Sequence, residues 1–213
     1  MTIKLNELIQ KSKNLVFFTG AGISTDSGIP DFRGPQGIWK TSTPIYFQDF
    51  ISSNDKRVES WERKFSNELS IDSALPNTGH KKIAEIMKKK EGSHLITQNV
   101  DNLHQNSGVL ESQITELHGN ATYASCLDCD KRYELIDLKQ DFLITHKPPL
   151  CTKCNGIIKT ATISFGQAMP EAEMQQSQKK PFNRIYLFVL ELLLECFLQQ
   201  ICPLLPKRQE QNL

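Results

Sequence analysis

Two Cys-x-x-Cys pairs separated by 21 residues are the feature that most restricts what this chain can fold into. Cys126 and Cys129 form the first pair, and Cys151 and Cys154 form the second. A tetrahedral zinc ion takes four thiolates, and each Cys-x-x-Cys turn presents two of them to one side of the metal. The spacing is close to that of zinc ribbons, and no further ligand position suggests an open site. We therefore expect a structural Zn²⁺ module rather than a catalytic zinc centre.

The same cysteines have alternative interpretations, as redox dithiols or buried thiols. The first residues of the chain lack the charged, apolar and small-residue pattern of a signal peptide, so we expect a reducing location, cytoplasmic or nuclear. The net charge is +1, and no basic excess lies between the cysteine pairs. We therefore expect no direct binding to nucleic acid. The apolar run 185–194 is interrupted by Glu191 and is shorter than a bilayer requires, so we expect no membrane span.

An apolar run, Leu15–Phe18, leads into the turn Gly20-Ala21-Gly22. This pattern predicts a buried strand whose following turn brings the backbone close to a ligand, because glycine tolerates positive φ. Backbone N–H groups at the start of a helix suit a pyrophosphate. The third glycine of a dinucleotide fingerprint is missing, so an ordinary tight turn is the alternative.

Segments typical of strands and helices alternate along the first 120 residues. The expected strands lie at 15–20, 94–97 and 114–117. The expected helices lie at 3–12, 44–70, 81–90 and 102–108. Such alternation predicts an α/β fold, a Rossmann-like doubly wound parallel sheet with an inserted zinc-ribbon module and a small helical segment.

A long polar segment, rather than a plain helix, follows the glycine turn. Its hydroxyls are hydrogen-bond donors and its arginine adds a cation. Its carboxylate and aromatic ring suit a planar cationic group such as the nicotinamide of oxidised NAD. The side chains are those of Ser24, Thr25, Ser27, Asp31, Phe32 and Arg33. As alternatives, Phe32 belongs to the core and Arg33 to a surface ion pair.

Four motifs and the cysteine pairs, taken together, resemble the sirtuins, the NAD-dependent protein-lysine deacylases. The motifs are GAGIST, SGIPDFRG, TQNVDNLH and ELHGN, in the order and approximate spacing of that family. The resemblance covers about residues 5–180. It implies that NAD is consumed as a co-substrate and that the polar segment closes over the nicotinamide ribose.

The resemblance also implies a role for individual residues. The pyrophosphate turn would comprise Gly20, Ala21, Gly22 and Ile23. The loop around the nicotinamide end would carry Thr25, Asp31, Phe32 and Arg33. The end of the second strand would supply Gln98, Asn99 and Asp101, with Asn99 near the ribose hydroxyls and a water, and Asp101 near the carboxamide.

His118 would be the general base that deprotonates a ribose hydroxyl. Its unperturbed pKa of about 6.5 suits proton transfer near neutral pH. By position alone a histidine beside glycine is more often a turn or buried residue, and Gln98–Asp101 is also compatible with a helix cap. No role is expected for His80, His94, His104 or His146.

The segment Thr162–Gln167 resembles the strand that pairs with an acyl-lysine peptide, through Phe165 and Gly166. Gln167 stands where many sirtuins have Glu.

The chain departs from the family pattern after about Lys180. No glycine follows Gly166, so the Gly-Ser turn expected on the adenosine side of NAD is missing. We expect Ile185–Leu190 to occupy the next strand position and the last strands of the sheet to be absent. The domain prediction is a sirtuin-type catalytic domain at 1–180, with a helical insertion at about 40–75 and the zinc module at about 120–160, and a divergent apolar tail at 181–213. An altered reading frame is one hypothesis for this tail.

Three functions are therefore compatible with the sequence. The first is a protein-lysine deacylase that acts on acyl-lysine proteins or peptides and forms nicotinamide, O-acyl-ADP-ribose and free lysine. The second is a truncated, catalytically impaired form that binds zinc and partners. The third is mono-ADP-ribosyl transfer, in which a protein side chain intercepts the activated ribose.

Overall fold

In the computed structural model, strands and helices alternate along the part of the chain that it describes, residues 5–12, 14–32, 34, 37–40, 42–66, 71–179 and 185–190. The strands are β1 (Asn14–Thr19), β2 (His94–Thr97), β3 (Ile114–Glu116), β4 (Gly119–Cys126), β5 (Arg132–Glu134), β6 (Ile158–Thr162) and β7 (Ile185–Leu190). The α-helices are α1 (Leu5–Lys11), α2 (Phe47–Ser52), α3 (Asn54–Phe65), α4 (Thr78–Lys89), α5 (Leu103–Asn106), α6 (Leu135–Thr145) and α7 (Glu171–Lys179). Short 3-10 helices are formed by Ala21–Ser27, Ile38–Lys40, Ile71–Ser73 and Glu111–Gln113.

The main sheet is parallel and has the strand order β3-β2-β1-β7. The chain runs outward from β1 through β2 to β3 and later returns to the other side of β1 as β7. The strand order therefore reverses between β1 and β7. Ligands of open parallel sheets bind outside the carboxyl ends of the strands at such a reversal, and Gly20 lies there because it directly follows β1.

Strand β1 is buried on both faces, as its continuous apolar sequence predicts. Leu15 and Phe17 pack on one face with apolar side chains of α4. Val16 and Phe18 pack on the other face, where Met174 of α7 covers them. Burial of each such side chain stabilises the fold by about 1.5–3 kcal/mol, so β1 contributes strongly to the stability of the sheet.

The zinc module has its own antiparallel sheet, in the order β5-β4-β6, and it shares a hydrophobic core with the helical insertion. Trp61 and Phe65 of α3 stack with their ring centroids 5.3 Å apart. Phe65 also meets Phe142 of α6, with centroids 5.6 Å apart. Cys126 and Cys151 are buried in the same cluster. Helix α3 and the zinc module are distant in the sequence, but they pack together around two of the zinc ligands.

The predicted fold class is confirmed, with a parallel sheet, helices and a separate cysteine-containing unit. Ile185–Leu190 takes the strand position that the sequence suggested and pairs with β1 from Asn14↔Ile185 to Thr19↔Leu190. The rest of the apolar tail lies outside the described residues. None of the helices within the described ranges is long and apolar enough to cross a bilayer.

Two local predictions differ from the structure. The polar segment after Gly20 begins as a 3-10 helix, Ala21–Ser27, which ends where Gly28 adopts φ 85°. The segment Thr162–Gln167 was expected to be a strand, but only Thr162 belongs to β6, and Phe165 and Gly166 form a turn. Within that turn the Ser164 N–H donates to the Gln167 side chain at 3.1 Å, so a local hydrogen bond replaces strand pairing.

Candidate active site and zinc centre

The turn after β1 is held by short-range hydrogen bonds. The Ile23 N–H donates to the Gly20 carbonyl at 3.2 Å, and the Thr25 hydroxyl donates to the Gly22 carbonyl at 3.0 Å. Gly28 ends the 3-10 helix with its N–H directed to the Thr25 carbonyl at 3.0 Å. The predicted pyrophosphate residues therefore lie in one ordered turn at the carboxyl end of β1.

Asn77 connects this turn to α4. Its side-chain amide donates to the Ile23 carbonyl at 2.7 Å and to the Ser27 hydroxyl at 3.0 Å. Its side-chain oxygen accepts from the Gly79 and His80 N–H groups, which makes Asn77 the N-cap of α4. A single amide thus fixes the start of α4 against the turn and brings His80 to the site.

Ser24 is the centre of a buried polar group. Its hydroxyl donates to the Asp101 carboxylate at 2.6 Å and accepts from the Asn99 amide at 3.1 Å. The His80 Nε2 lies 3.5 Å from the same oxygen. Because the Asn77 N–H donates to His80 Nδ1, we assign the ring proton to Nε2. Burial is the main cause that lowers the pKa of His80, so the ring is held neutral, although the Asp101 charge opposes this shift.

A second polar chain joins the carboxyl ends of β1 and β2. The Thr19 hydroxyl donates to Thr97 Oγ1 at 2.9 Å, and His104 Nε2 lies 2.9 Å from Thr19 Oγ1. Thr97 Oγ1 also accepts the Asn99 N–H at 3.0 Å. The rings of His104 and His80 lie 4.8 Å apart. Burial, with a smaller effect of His80, lowers the pKa of His104 to about 3, which keeps this ring neutral as well.

His118 lies two residues after the end of β3. The intervening Leu117 donates its N–H to the Thr97 carbonyl at 2.9 Å. Its Nδ1 lies 2.9 Å from the Gln98 carbonyl. A carbonyl only accepts, so Nδ1 must carry the proton, and Nε2 is then the basic nitrogen of the neutral ring. Gln98 in turn extends the β1–β2 ladder through its N–H to the Thr19 carbonyl.

Glu116 lies two residues before His118 and is half-buried. One carboxylate oxygen accepts from Gln105 at 2.7 Å and from Asn120 at 2.8 Å. Burial is the largest effect and raises the pKa of Glu116 despite these two donors. The Asn120 amide also donates to Asn102, so the segments on either side of His118 are joined by amide groups.

The remaining predicted residues have their described contacts elsewhere. The Asp31 carboxylate accepts from the Gly34 N–H at 2.7 Å and so closes its own loop. Phe32 is half-buried, and Arg33 lies outside the described residues. Phe165 is 43% exposed and contacts Tyr46, with ring centroids 6.0 Å apart. Its carbonyl accepts the Phe47 N–H at 2.9 Å, and Gly166 follows it with φ 79°.

The four cysteines are brought together as their spacing predicts. Their sulfur atoms all lie within 4.8 Å of one another. The pairs Cys126–Cys154 and Cys129–Cys151 have sulfur separations of 3.5 and 3.6 Å. Four sulfurs at about 2.3 Å from a tetrahedral ion are about 3.8 Å apart, so this set fits zinc. The four protein thiols fill the tetrahedron, which suits a structural rather than a catalytic ion.

Hydrogen bonds from neighbouring groups orient the thiols. The Asp128 N–H donates to Cys126 and the Lys153 N–H to Cys151, both at 3.4 Å. The Tyr133 hydroxyl donates to the Cys151 sulfur at 3.1 Å. Such donors stabilise thiolates and fix their direction toward a metal.

Sequence reasoning assigned no role to His80 and His104, although both belong to the buried polar groups at the site. A signal for His80 exists in Asn77-Thr78-Gly79-His80, because Asn followed three residues later by a polar residue resembles a capping box. No comparable signal marks His104. Its contact with Thr19 joins residues 85 positions apart and depends on the sheet.

The profile of the Sir2 family matches residues 20–190. This match covers the turn, the residues around His118, the zinc ligands and β7. The chain belongs to the Sir2 family.

Among Sir2 relatives, an NAD-dependent protein deacetylase of Rhodopseudomonas palustris is 47% identical over 174 residues, which are 82% of this chain and 69% of the relative. One from Thermodesulfovibrio yellowstonii is 42% identical over 83% of this chain and 68% of its own length. A structure from work on the structural basis of sirtuin substrate affinity superposes with a TM-score of 0.80 at 31% identity, covering 96% of this chain and 82% of the other. A Sir2 complex with a p53 peptide and NAD⁺ gives 0.71 at 32% identity, covering 89% and 75%.

Proposed function

We propose that the protein is an NAD-dependent protein-lysine deacetylase. The observation that carries this proposal is the position of His118, whose Nδ1 faces the Gln98 carbonyl at the carboxyl edge of the sheet. A general base needs one ring nitrogen held as a donor, and this geometry supplies it, so that Nε2 carries the lone pair of the neutral ring. The Sir2 relatives that bear the name NAD-dependent protein deacetylase match more than two thirds of their length to this chain.

NAD is a substrate of this reaction, not a resident cofactor. Its glycosidic bond breaks and nicotinamide leaves, while the acyl oxygen of the modified lysine bonds to the anomeric carbon. His118 Nε2 then takes the proton of a ribose hydroxyl, and that oxygen attacks the imidate carbon. Addition of water gives free lysine and O-acyl-ADP-ribose, so the atoms of the acyl group end on the ribose.

The buried polar group around Ser24 is suited to bind the nicotinamide half of NAD. Asn99 and Asp101 are held by Ser24 and need no rearrangement to present fixed dipoles to a substrate. Preorganised polar groups of this kind stabilise developing charge without the cost of reorienting solvent. The turn Gly20–Ile23 and the loop residues Thr25, Asp31, Phe32 and Arg33 complete the proposed NAD site.

The peptide side of the proposal rests on Phe165 and Gly166. They lie in the turn after β6, and Ile163 of the same segment donates its N–H to the His118 carbonyl at 2.8 Å. A peptide that pairs with this segment would place its acyl-lysine close to His118. A Sir2 complex with a p53 peptide and NAD⁺ is among the similar structures, which supports a peptide as the partner.

Zinc has a structural part in this proposal. When bound, it crosslinks the two Cys-x-x-Cys turns and so stabilises the small sheet and the core shared with α3. Thiol ligands remain reduced in the cytosol or nucleus, and these compartments are the proposed location. No role in nucleic-acid binding is proposed.

The first experiment is nicotinamide release from NAD by purified, zinc-loaded protein, with and without an acetyl-lysine peptide. We expect steady-state release that depends on the peptide and falls by a factor of about 100 or more in His118→Ala, because without the base the imidate is not consumed and the enzyme does not turn over. His146→Ala, a change of an exposed histidine in the zinc module, is the matched control. Zinc content should stay the same in both variants.

Other outcomes identify the alternatives. Release that needs no acyl peptide and labels protein with ADP-ribose would replace deacylation by mono-ADP-ribosyl transfer. No release and no NAD binding by folded, zinc-loaded protein would leave the impaired, partner-binding form. That result would mean that the missing Gly-Ser turn is essential to the NAD site.

A further inference from the structure

Lys159 of β6 is a buried cation that the proposed reaction does not use. Only 3% of the residue is exposed, and burial lowers the pKa of its ammonium to about 8. A buried charge is costly unless hydrogen bonds compensate for the lost water. The Lys159 ammonium donates to the carbonyls of Thr160, at 3.3 Å, and Thr162.

Both carbonyls lie where the pairing of β4 with β6 is irregular. Gly119 pairs with Thr162, whereas Ala124 pairs with Thr160, so a long stretch of β4 faces a short stretch of β6. A bulge of this kind interrupts the regular hydrogen bonds of a ladder. Thr160 and Thr162 are half-buried there, and the Lys159 ammonium donates to their carbonyls in place of the interrupted ladder.

The end of β6 is joined to the backbone of His118. The Ile163 N–H donates to the His118 carbonyl at 2.8 Å. Gly119 packs so closely on Ala161 that an added Cβ would lie 1.9 Å from the Ala161 carbonyl oxygen. A displacement of β6 at this point is therefore transmitted to His118 and to its neighbour.

We propose that Lys159 is a positioning residue for His118. Its ammonium fixes the end of β6, and β6 fixes the backbone of His118 while the Gln98 carbonyl fixes its ring. The ammonium thus acts through the backbone, without contact with NAD or peptide. The effect on catalysis rests on the proposed deacetylase function, whereas the effect on the position of His118 does not.

The test compares Lys159→Met, which keeps the length of the side chain but removes its donors, with Lys147→Met, an exposed lysine of the same module. We expect Lys159→Met to lower the kcat of deacetylation about tenfold or more, because small misplacements of a catalytic group have effects of this size. Exchange of labelled nicotinamide into NAD precedes the step of His118 and should change less than about threefold. Lys159→Arg, which retains donors, should recover part of the lost kcat, and Lys147→Met should match the parent.

A readout independent of activity is the imidazole resonance of His118 in ¹³C-histidine-labelled protein, assigned with His118→Ala. We expect it to shift in Lys159→Met and not in Lys147→Met, with zinc content unchanged. If Lys159→Met does not fold, Lys159→Gln takes its place with the same expected results. An unshifted resonance, or equal losses of exchange and deacetylation, would overturn the inference. An inactive parent protein with a shifted resonance in Lys159→Met would overturn the proposed function but not the positioning role.

Discussion

Individual side chains at the site are mostly small, neutral and buried. Ser24 is 1% exposed and Thr19 is fully buried, and each hydroxyl both donates and accepts a hydrogen bond. A hydroxyl that both donates and accepts holds two neighbouring groups through a single oxygen atom. Longer charged side chains can do the same only at a larger cost in conformational entropy. The carboxylate of Asp101 is the exception, and it accepts from Ser24 and from the Leu103 N–H. The site is thus preorganised by short contacts between the ends of β1 and β2.

A prediction at the residue scale concerns the pH dependence of stability. The pKa of His104 is about 3 in the folded protein and about 6.5 in the unfolded chain, so between these values the unfolded state binds the extra proton. The free energy of unfolding should therefore fall as the pH decreases from 6.5 toward 3. By pH 5 this one group accounts for a loss of about 2 kcal/mol.

His104→Gln cannot take up this proton and keeps an amide donor near Thr19. We expect it to be less stable than the parent protein at pH 7.5, with a difference that shrinks by about 2 kcal/mol at pH 5. Urea unfolding at both values measures the difference. The control is His146→Gln, because His146 is exposed. A difference that is the same at both pH values would show that His104 does not titrate in this way.

At the scale of elements, β5 and the second Cys-x-x-Cys turn are joined by one phenol. The Tyr133 hydroxyl donates to the Cys151 sulfur and accepts the Thr152 N–H at 2.9 Å. Lys131, just before β5, donates to the Thr152 hydroxyl at 2.8 Å. Tyr133 thus holds the zinc-binding turn against the sheet and stabilises the charge on one ligand at the same time.

Tyr133→Phe removes only this hydroxyl and retains the packed ring. We expect zinc to transfer to a chromogenic chelator about ten times faster or more, since lost outer contacts weaken metal sites by such factors. Tyr123→Phe is the control, because Tyr123 lies on β4 of the same sheet and stacks against Arg132 rather than a cysteine. Equal transfer rates in the two variants would remove Tyr133 from the set of groups that retain zinc.

At the scale of the whole molecule, β7 decides whether β1 is a central or an edge strand. Its ladder with β1 covers the full length of that strand. Without β7, a long apolar strand would present unpaired N–H and C=O groups, which favours aggregation. The profile of the Sir2 family also extends to residue 190.

Two truncations test this point. A chain that ends after Leu190 should remain monodisperse in size-exclusion chromatography and keep the melting temperature of the full chain within about 4 °C. A chain that ends after Lys179 should form aggregates or lose the cooperative transition, because the β1 edge is uncovered. Aggregation of both chains would show that residues beyond Leu190 are needed as well.

The sequence by itself determined the elements that depend on local patterns. The run Leu15–Phe18 specified a buried strand, and the paired cysteines specified a zinc site, because both signals lie in neighbouring residues. The order of the motifs identified the family. The place of His118 within the ELHGN motif then marked it as the candidate base. The polar segment after Gly20 begins as a 3-10 helix over Ala21–Ser27, and the strand expected at Thr162–Gln167 was wrong beyond Thr162, where hydrogen bonds between nearby groups outweighed the pattern.

Only the tertiary structure decided which distant residues meet. The contacts Thr19–His104, Ser24–Asp101 and Ile163–His118 join separate segments of the chain, and their sequence separation leaves no periodicity to detect. The core shared by α3 and the zinc module has the same origin. In each case a polar or apolar group finds its partner through sheet topology, since burial requires a partner but does not specify where in the chain it lies.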